Sequence, residues 1–159
     1  MTKEEIKSFT LRTTEANSCD LIVILYDVIL TDVKNARIAF RQKNYESYRH
    51  ELNHATRFLN ELMRCLDYNI PLSVNLYSLY AYLNQRISYA TAGNHPEALD
   101  IVDDVIGKLR DAFDTIAKDD VGGPMMKNTQ TVYAGLTYGR GVLNETYVDP
   151  RDYNRGFNA

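Results

Sequence analysis

His50-Glu51-Leu52-Asn53-His54 is the run whose residue types and spacing come nearest to catalysis. Written H-E-x-x-H on a helix, it is the zinc signature of many metalloproteases. Two imidazoles one turn apart hold the metal, and the glutamate activates a water. That chemistry needs both imidazoles lining a dry cleft, and a third ligand. The apolar stripe around the run passes through Tyr48, Leu52 and Ala55. It turns His50 to the far side of the helix and His54 to a flank, both toward water. The remaining histidine, His95, opens a different segment. The run reads as a solvated face that binds no metal.

Other candidates are weaker. Glu51 and His54 form one E-x-x-H pair, but a di-iron bundle needs two such pairs and inward glutamates from the other helices. Asp103-Asp104 and Asp119-Asp120 are adjacent carboxylates, and helical neighbours point about 100° apart, so each pair reads as solvated charge. Cys19 and Cys65 have no histidine nearby in sequence to activate a thiolate. No glycine-rich phosphate loop is present. The expectation is a protein that is not an enzyme and needs no cofactor.

Those residues must be carried by some scaffold, and the composition bounds it. The 159 residues suit one domain large enough to need neither disulfides nor metals, and 45% hydrophobic with 25% charged residues is ordinary globular usage. A net charge of −3, with Lys and Arg scattered among acids, argues against nucleic acid as partner. Two widely spaced cysteines and an acidic N-terminal stretch without an apolar core suggest a cytoplasmic chain with free thiols and no signal peptide. The longest apolar run, Leu21 to Tyr26, is too short for membrane insertion.

Four segments carry a hydrophobic rhythm of three and four residues, predicting long helices at about 18–42, 45–68, 71–92 and 95–118. The first, capped by Asn17 or Ser18, has the stripe Ile22, Leu25, Ile29, Val33, Ala36 and Phe40. The second, capped by Asn44, has Tyr48, Leu52, Ala55, Leu59, Leu62 and Leu66. The third starts at Pro71, has Leu76, Tyr80, Leu83, Ile87 and Ala90, and ends with Gly93 just past its last turn. The fourth has Leu99, Val102, Ile106, Leu109, Phe113 and Ile116. Short connections make neighbours antiparallel, so the expected fold is all-α: an up-down four-helix bundle over 1–118, N-terminal segment included. Residues 119–159 form an irregular tail rich in Gly and Tyr. Val132, Tyr133, Leu136, Tyr138, Leu143 and Tyr147 make it too apolar for a plain linker, and composition leaves docking and disorder equally open.

The first segment is apolar all round from Leu21 to Leu30, broken only by Asp27, although a bundle helix buries one stripe. The third carries Tyr77, Leu79, Tyr82 and Tyr89 off its stripe. Such a surplus suggests a peptide-binding groove, whose candidate residues are Leu21, Ile24, Leu25, Val28, Tyr77, Tyr80, Tyr82 and Asn84. An alternative is that the N-terminal segment, with Ile6, Phe9 and Leu11, or the tail covers this surface. Such a cover could also hold the groove until a partner displaces it.

Leu21 to Ile29 with Leu25-Tyr26-Asp27 at its centre, Leu66-Asp67, and Asn75-Leu76 followed by Leu79-Tyr80, Tyr82-Leu83 and Ala90 together resemble the flagellar secretion chaperones that hold flagellin, the FliS family. The resemblance covers about Ala16 to Ile116. It implies a cytosolic antiparallel bundle without cofactor or catalysis. Such a bundle binds the C-terminal segment of flagellin, prevents premature polymerisation and delivers it to the flagellar export apparatus. The chain departs from the family pattern at Ser18-Cys19, where Ser-Pro is usual, and at Val28, where glycine is usual. A chaperone for another secreted protein and a structural, self-associating bundle, hence a homo-oligomer, are the competing expectations.

Overall fold

A computed structural model of the chain describes residues 2–119. Among them the chain is all-helical, with five α-helices where four were expected. The additional one is α1, Lys3–Glu15, in the stretch read above as a segment. Thr2 and Glu5 start it with a capping box. The Thr2 hydroxyl accepts the Glu5 N–H at 3.2 Å, and the Glu5 carboxylate accepts the Thr2 N–H at 2.7 Å. Asn17 and Asp20 repeat the device at the start of α2, Ser18–Arg41.

Helix α2 turns into α3, Tyr45–Arg64, within three residues. Lys43 adopts a left-handed conformation, with φ 59°. The N–H groups of Lys43 and Asn44 return to the carbonyls of Phe40 and Ala39, each at 2.9 Å. The Asn44 side chain then caps α3 by accepting the Ser47 N–H. Helix α3 stops four residues earlier than expected. The Asp67 carboxylate takes both the backbone and side-chain N–H of Asn69, an alternative to continued helical bonding.

Helix α4, Pro71–Gly93, begins with proline in its first turn, as the sequence implied. Its end differs from expectation. Gly93 is still helical, and Asn94, with φ 54°, is the left-handed cap. A Cβ at 93 would meet the His95 ring, which stacks on Tyr89, so a larger residue there has to displace that ring. A 3-10 turn, Pro96–Leu99, then leads into α5, Asp100–Asp119.

The cross-links give the directions. Asp32 meets His54 while Phe40 meets Tyr45 and Tyr48, so α2 and α3 run antiparallel. Arg37 meets Asp103 and Asp27 meets Arg110, so α2 and α5 do as well. Helix α4 closes the packing against α3, the 3-10 turn and α5. The core joins Tyr26, Ile29, Val33 and Ala36 of α2 to the α3 stripe from Tyr48 to Leu62. It also takes Tyr80, Leu83, Ile87 and Ala90 of α4, and Leu99, Val102 and Ile106.

Two stripe positions are corrected. Tyr26, not Leu25, enters the core on α2. Its hydroxyl bonds that of Tyr80, which offsets part of the cost of burying the two phenols. On α5 Ile116 is half exposed and Ala117 is buried in its place. The Tyr48 hydroxyl donates to the Ala90 carbonyl at 3.0 Å. Among the described residues no helix is long and apolar enough to cross a membrane. The expected tail, and any docking of it, lie outside the described residues.

Candidate partner-binding surface

The apolar surplus on α2 is covered, and α1 is the cover. Ile24 and Val28 are buried although they lie outside the central core, and Leu25 is partly buried. A groove of about 320 Å³ runs between α1 and the bundle. Ile6, Phe9, Thr10 and Thr13 of α1 line it on one side. Ile24, Leu25 and Val28 of α2, with His54 and Phe58 of α3, line it on the other. Leu21 is partly buried near the N-terminus of α2 and is not among the residues lining the groove.

Helix α1 is a modest cover. Ile6 remains 52% exposed and Leu11 points outward at 50%. The hydroxyls of Thr10, Thr13 and Thr14 bond to carbonyls of their own helix, so they bring no bond to the groove. Two polar tethers hold α1. Arg12 pairs with Asp27 at 2.8 Å, and Glu5 accepts a hydrogen bond from Asn35 at 3.3 Å. Asp27 is shared with Arg110 of α5 at 3.1 Å. A surface contact of this kind, with one partner largely in water, contributes about 0–1 kcal/mol.

Between the two tethers on α2 lies a feature that sequence reasoning missed. Asp32 is fully buried, and its Oδ2 accepts from His54 Nδ1 at 2.7 Å. Its Oδ1 is buried without a hydrogen-bond partner. Burial pushes the carboxyl up to about 6; the His54 bond pulls it down, and Glu51 adds a smaller push upward. His54 is thus a half-covered partner of a buried carboxylate, packed edge-on against Phe58, and does not simply face water. Asp32 falls between the apolar positions Val28 and Val33, and only its break in the α2 pattern could have marked it.

His50 is exposed on α3. The depression beside it, about 500 Å³, is lined by Glu46, Ser47, Arg49, His50 and Asn53 of that one helix, and one wall cannot enclose a ligand. Among the described residues no three His, Cys, Asp or Glu side chains gather as metal ligands would. Among the described residues neither Cys19 nor Cys65 is in a disulfide.

The remaining candidate residues sit on α4. Tyr77 and Tyr82 are exposed at 42% each. Asn84 is tied to Asn60 of α3 at 2.9 Å and to the Met63 sulfur at 3.5 Å. Tyr80 is not at the surface but in the core, its proton held more tightly through burial. Arg86 is the single charged residue of α4. Leu72, Val74 and Tyr89 join the two tyrosines on its exposed faces. Tyrosine enrichment and charge depletion mark the centre of protein interfaces.

The structure therefore brings Ile24, Leu25 and Val28 together under α1 and leaves Tyr77 and Tyr82 outward on α4. A family model described as flagellar protein FliS matches residues 6–120, taking in most of α1 and all of α2 to α5. Among curated proteins no match to this chain is found.

Proposed function

The chain belongs to the FliS family of flagellar proteins, which implies a flagellar chaperone role, and from that membership we propose that it is a cytoplasmic export chaperone for flagellin. In this reading it binds the flagellin C-terminal segment, keeps it from polymerising and supports its delivery to the export apparatus. The observation that carries the reading is the apolar face of α2 at Ile24, Leu25 and Val28, held under a cover as light as α1. A cargo helix with a fuller apolar face takes the place of α1. The same cargo continues onto the tyrosine-rich, charge-poor surface of α4 at Tyr77 and Tyr82.

Calorimetric titration with a flagellin C-terminal segment tests this. The expected result is a one-to-one complex in which α1 amides lose their protection from hydrogen exchange. No binding at concentrations up to 100-fold above the micromolar range, roughly −8 kcal/mol, rejects the reading.

The charge-poor, tyrosine-rich surface of α4 favours a second reading, a self-associating bundle. Sedimentation separates the two. A concentration-dependent dimer that survives added flagellin segment supports self-association, and a dimer replaced by a one-to-one complex supports the chaperone.

A further inference from the structure

We propose that Asp32 is the specificity-determining acceptor of the α1 groove: the partner helix that takes the place of α1 presents a side-chain N–H or O–H donor to its free carboxylate oxygen. The inference rests on the chaperone reading and adds a chemical requirement to it. Apolar complementarity alone would select any amphipathic helix. A buried carboxylate with one unmatched oxygen selects among them.

Three observations point the same way. Asp32 is fully buried, yet Oδ1 has no partner while Oδ2 is engaged by His54. His54 lines the groove, so the carboxylate lies directly behind its wall. The tethers Glu5–Asn35 and Arg12–Asp27 bracket Asp32 along α2, so the stretch of α1 between them passes over it. No side chain of that stretch reaches Oδ1, and its Thr10 hydroxyl turns back to the Ile6 carbonyl. As an occupant α1 is apolar enough to close the groove and chemically incomplete at its one charged position.

A bond to an ionised group contributes more than a neutral one, and a buried acceptor left unmatched carries a desolvation cost. An incoming helix that carries Asn, Gln, Ser, Thr, Lys or Arg at the matching position therefore gains over α1. Without such a donor it meets the same mismatch. Burial holds the carboxyl up at about 6, so it remains largely ionised at neutral pH, the form that attracts a donor.

The test is a double-mutant cycle on the full chain, with a flagellin C-terminal segment as probe. Each polar donor of the segment is replaced by alanine, and each peptide is titrated against wild type, Asp32→Ala and Asp32→Asn. One replacement is expected to weaken binding to wild type by roughly tenfold or more, and to have little further effect on Asp32→Ala. Asp32→Asn keeps an acceptor without the charge and should fall between them. A merely structural Asp32 would shift all peptides equally, and the absence of any coupled donor overturns the proposal while leaving the chaperone reading intact. Should Asp32→Ala not fold, the cycle with Asp32→Asn decides: one donor replacement must weaken binding clearly less on Asp32→Asn than on wild type, and equal losses at every donor overturn the proposal. A wild-type chain that binds no segment at all removes both readings.

Discussion

Arg12 of α1 and Arg110 of α5 converge on one carboxylate, Asp27 of α2: Arg12 reaches Oδ2 at 2.8 Å and Arg110 reaches Oδ1 at 3.1 Å. The residue is thus a junction through which the cover helix and the bundle share a charge. Arg12 is 42% exposed, so solvent screens its part of the pair.

Loosening that junction should open α1 without unfolding the bundle. Arg12→Ala is expected to raise hydrogen exchange of α1 amides a few-fold, in line with about 0.5–1 kcal/mol for an exposed pair. High salt should do the same to wild type. Unchanged exchange in both cases would mean that apolar contact alone holds α1.

Core truncations should grade with burial. Leu59→Ala and Leu83→Ala remove fully buried side chains and should each cost about 2–5 kcal/mol in urea unfolding. Leu109 is only partly buried, so Leu109→Ala belongs at or below the low end of that range. Ile116, 53% exposed, should tolerate alanine within about 0.5 kcal/mol. A large loss at Ile116 would place a further covering element over α5.

Stability should depend on pH through Asp32. Its folded pKa, about 6, lies above the ordinary value of 3.8, so the folded chain holds this proton more tightly than the unfolded one. The stability this group contributes is therefore fully present below about pH 4 and is lost as pH rises through about 6. A shift of this size corresponds to about 3 kcal/mol. Asp32→Asn has no such titration, so between pH 4 and 7 the comparison with wild type should move in favour of the variant by about 2–3 kcal/mol. Urea titrations at both pH values measure it, and a constant difference would show that Asp32 keeps an ordinary pKa.

The tyrosines of α4 offer a test in which binding and folding separate. Tyr82→Ala should leave the melting temperature nearly unchanged, because the ring is half in water. If it meets the cargo, affinity for the flagellin segment should fall by roughly tenfold or more. Ile24→Ser, in the α2 groove, should weaken binding and lower stability as well, since α1 covers that residue. A Tyr82→Ala chain that binds like wild type would confine the cargo to the α2 groove.

Local signals carried far in this sequence. The α3 and α4 stripes from Tyr48 to Leu62 and from Tyr80 to Ala90 are buried as their spacing implied, and Asn17, Asn44 and Pro71 start helices where they were placed. Helix α1 was legible but missed: Thr2-Lys3-Glu4-Glu5 is a T-x-x-E capping box. The α2 phase was misread at its first turns because Leu21 to Tyr26 is apolar on every side, which leaves periodicity nothing to choose between. Asp32–His54 and Asp27–Arg110 join residues 22 and 83 positions apart, and no window on the sequence contains such pairs. Of the candidate surface, the apolar content was legible, but not which part is covered.

The hydroxyl pair of Tyr26 and Tyr80 has a consequence for how the helices align. It links two helices that are not neighbours in the chain, across 54 positions, in the middle of the core. The aliphatic stripes around it repeat every three to four residues, so on shape alone α4 could slide by one turn and find similar company. After such a slide both phenols would be buried without their partner, at roughly 1–3 kcal/mol apiece. This contact, with the Tyr48 hydroxyl on the Ala90 carbonyl, makes the correct alignment distinguishable from its nearest rivals, which the greasy, interchangeable contacts around them cannot do. Replacing both tyrosines by phenylalanine would then leave a core that still condenses but has lost one of the marks by which it recognises its own register.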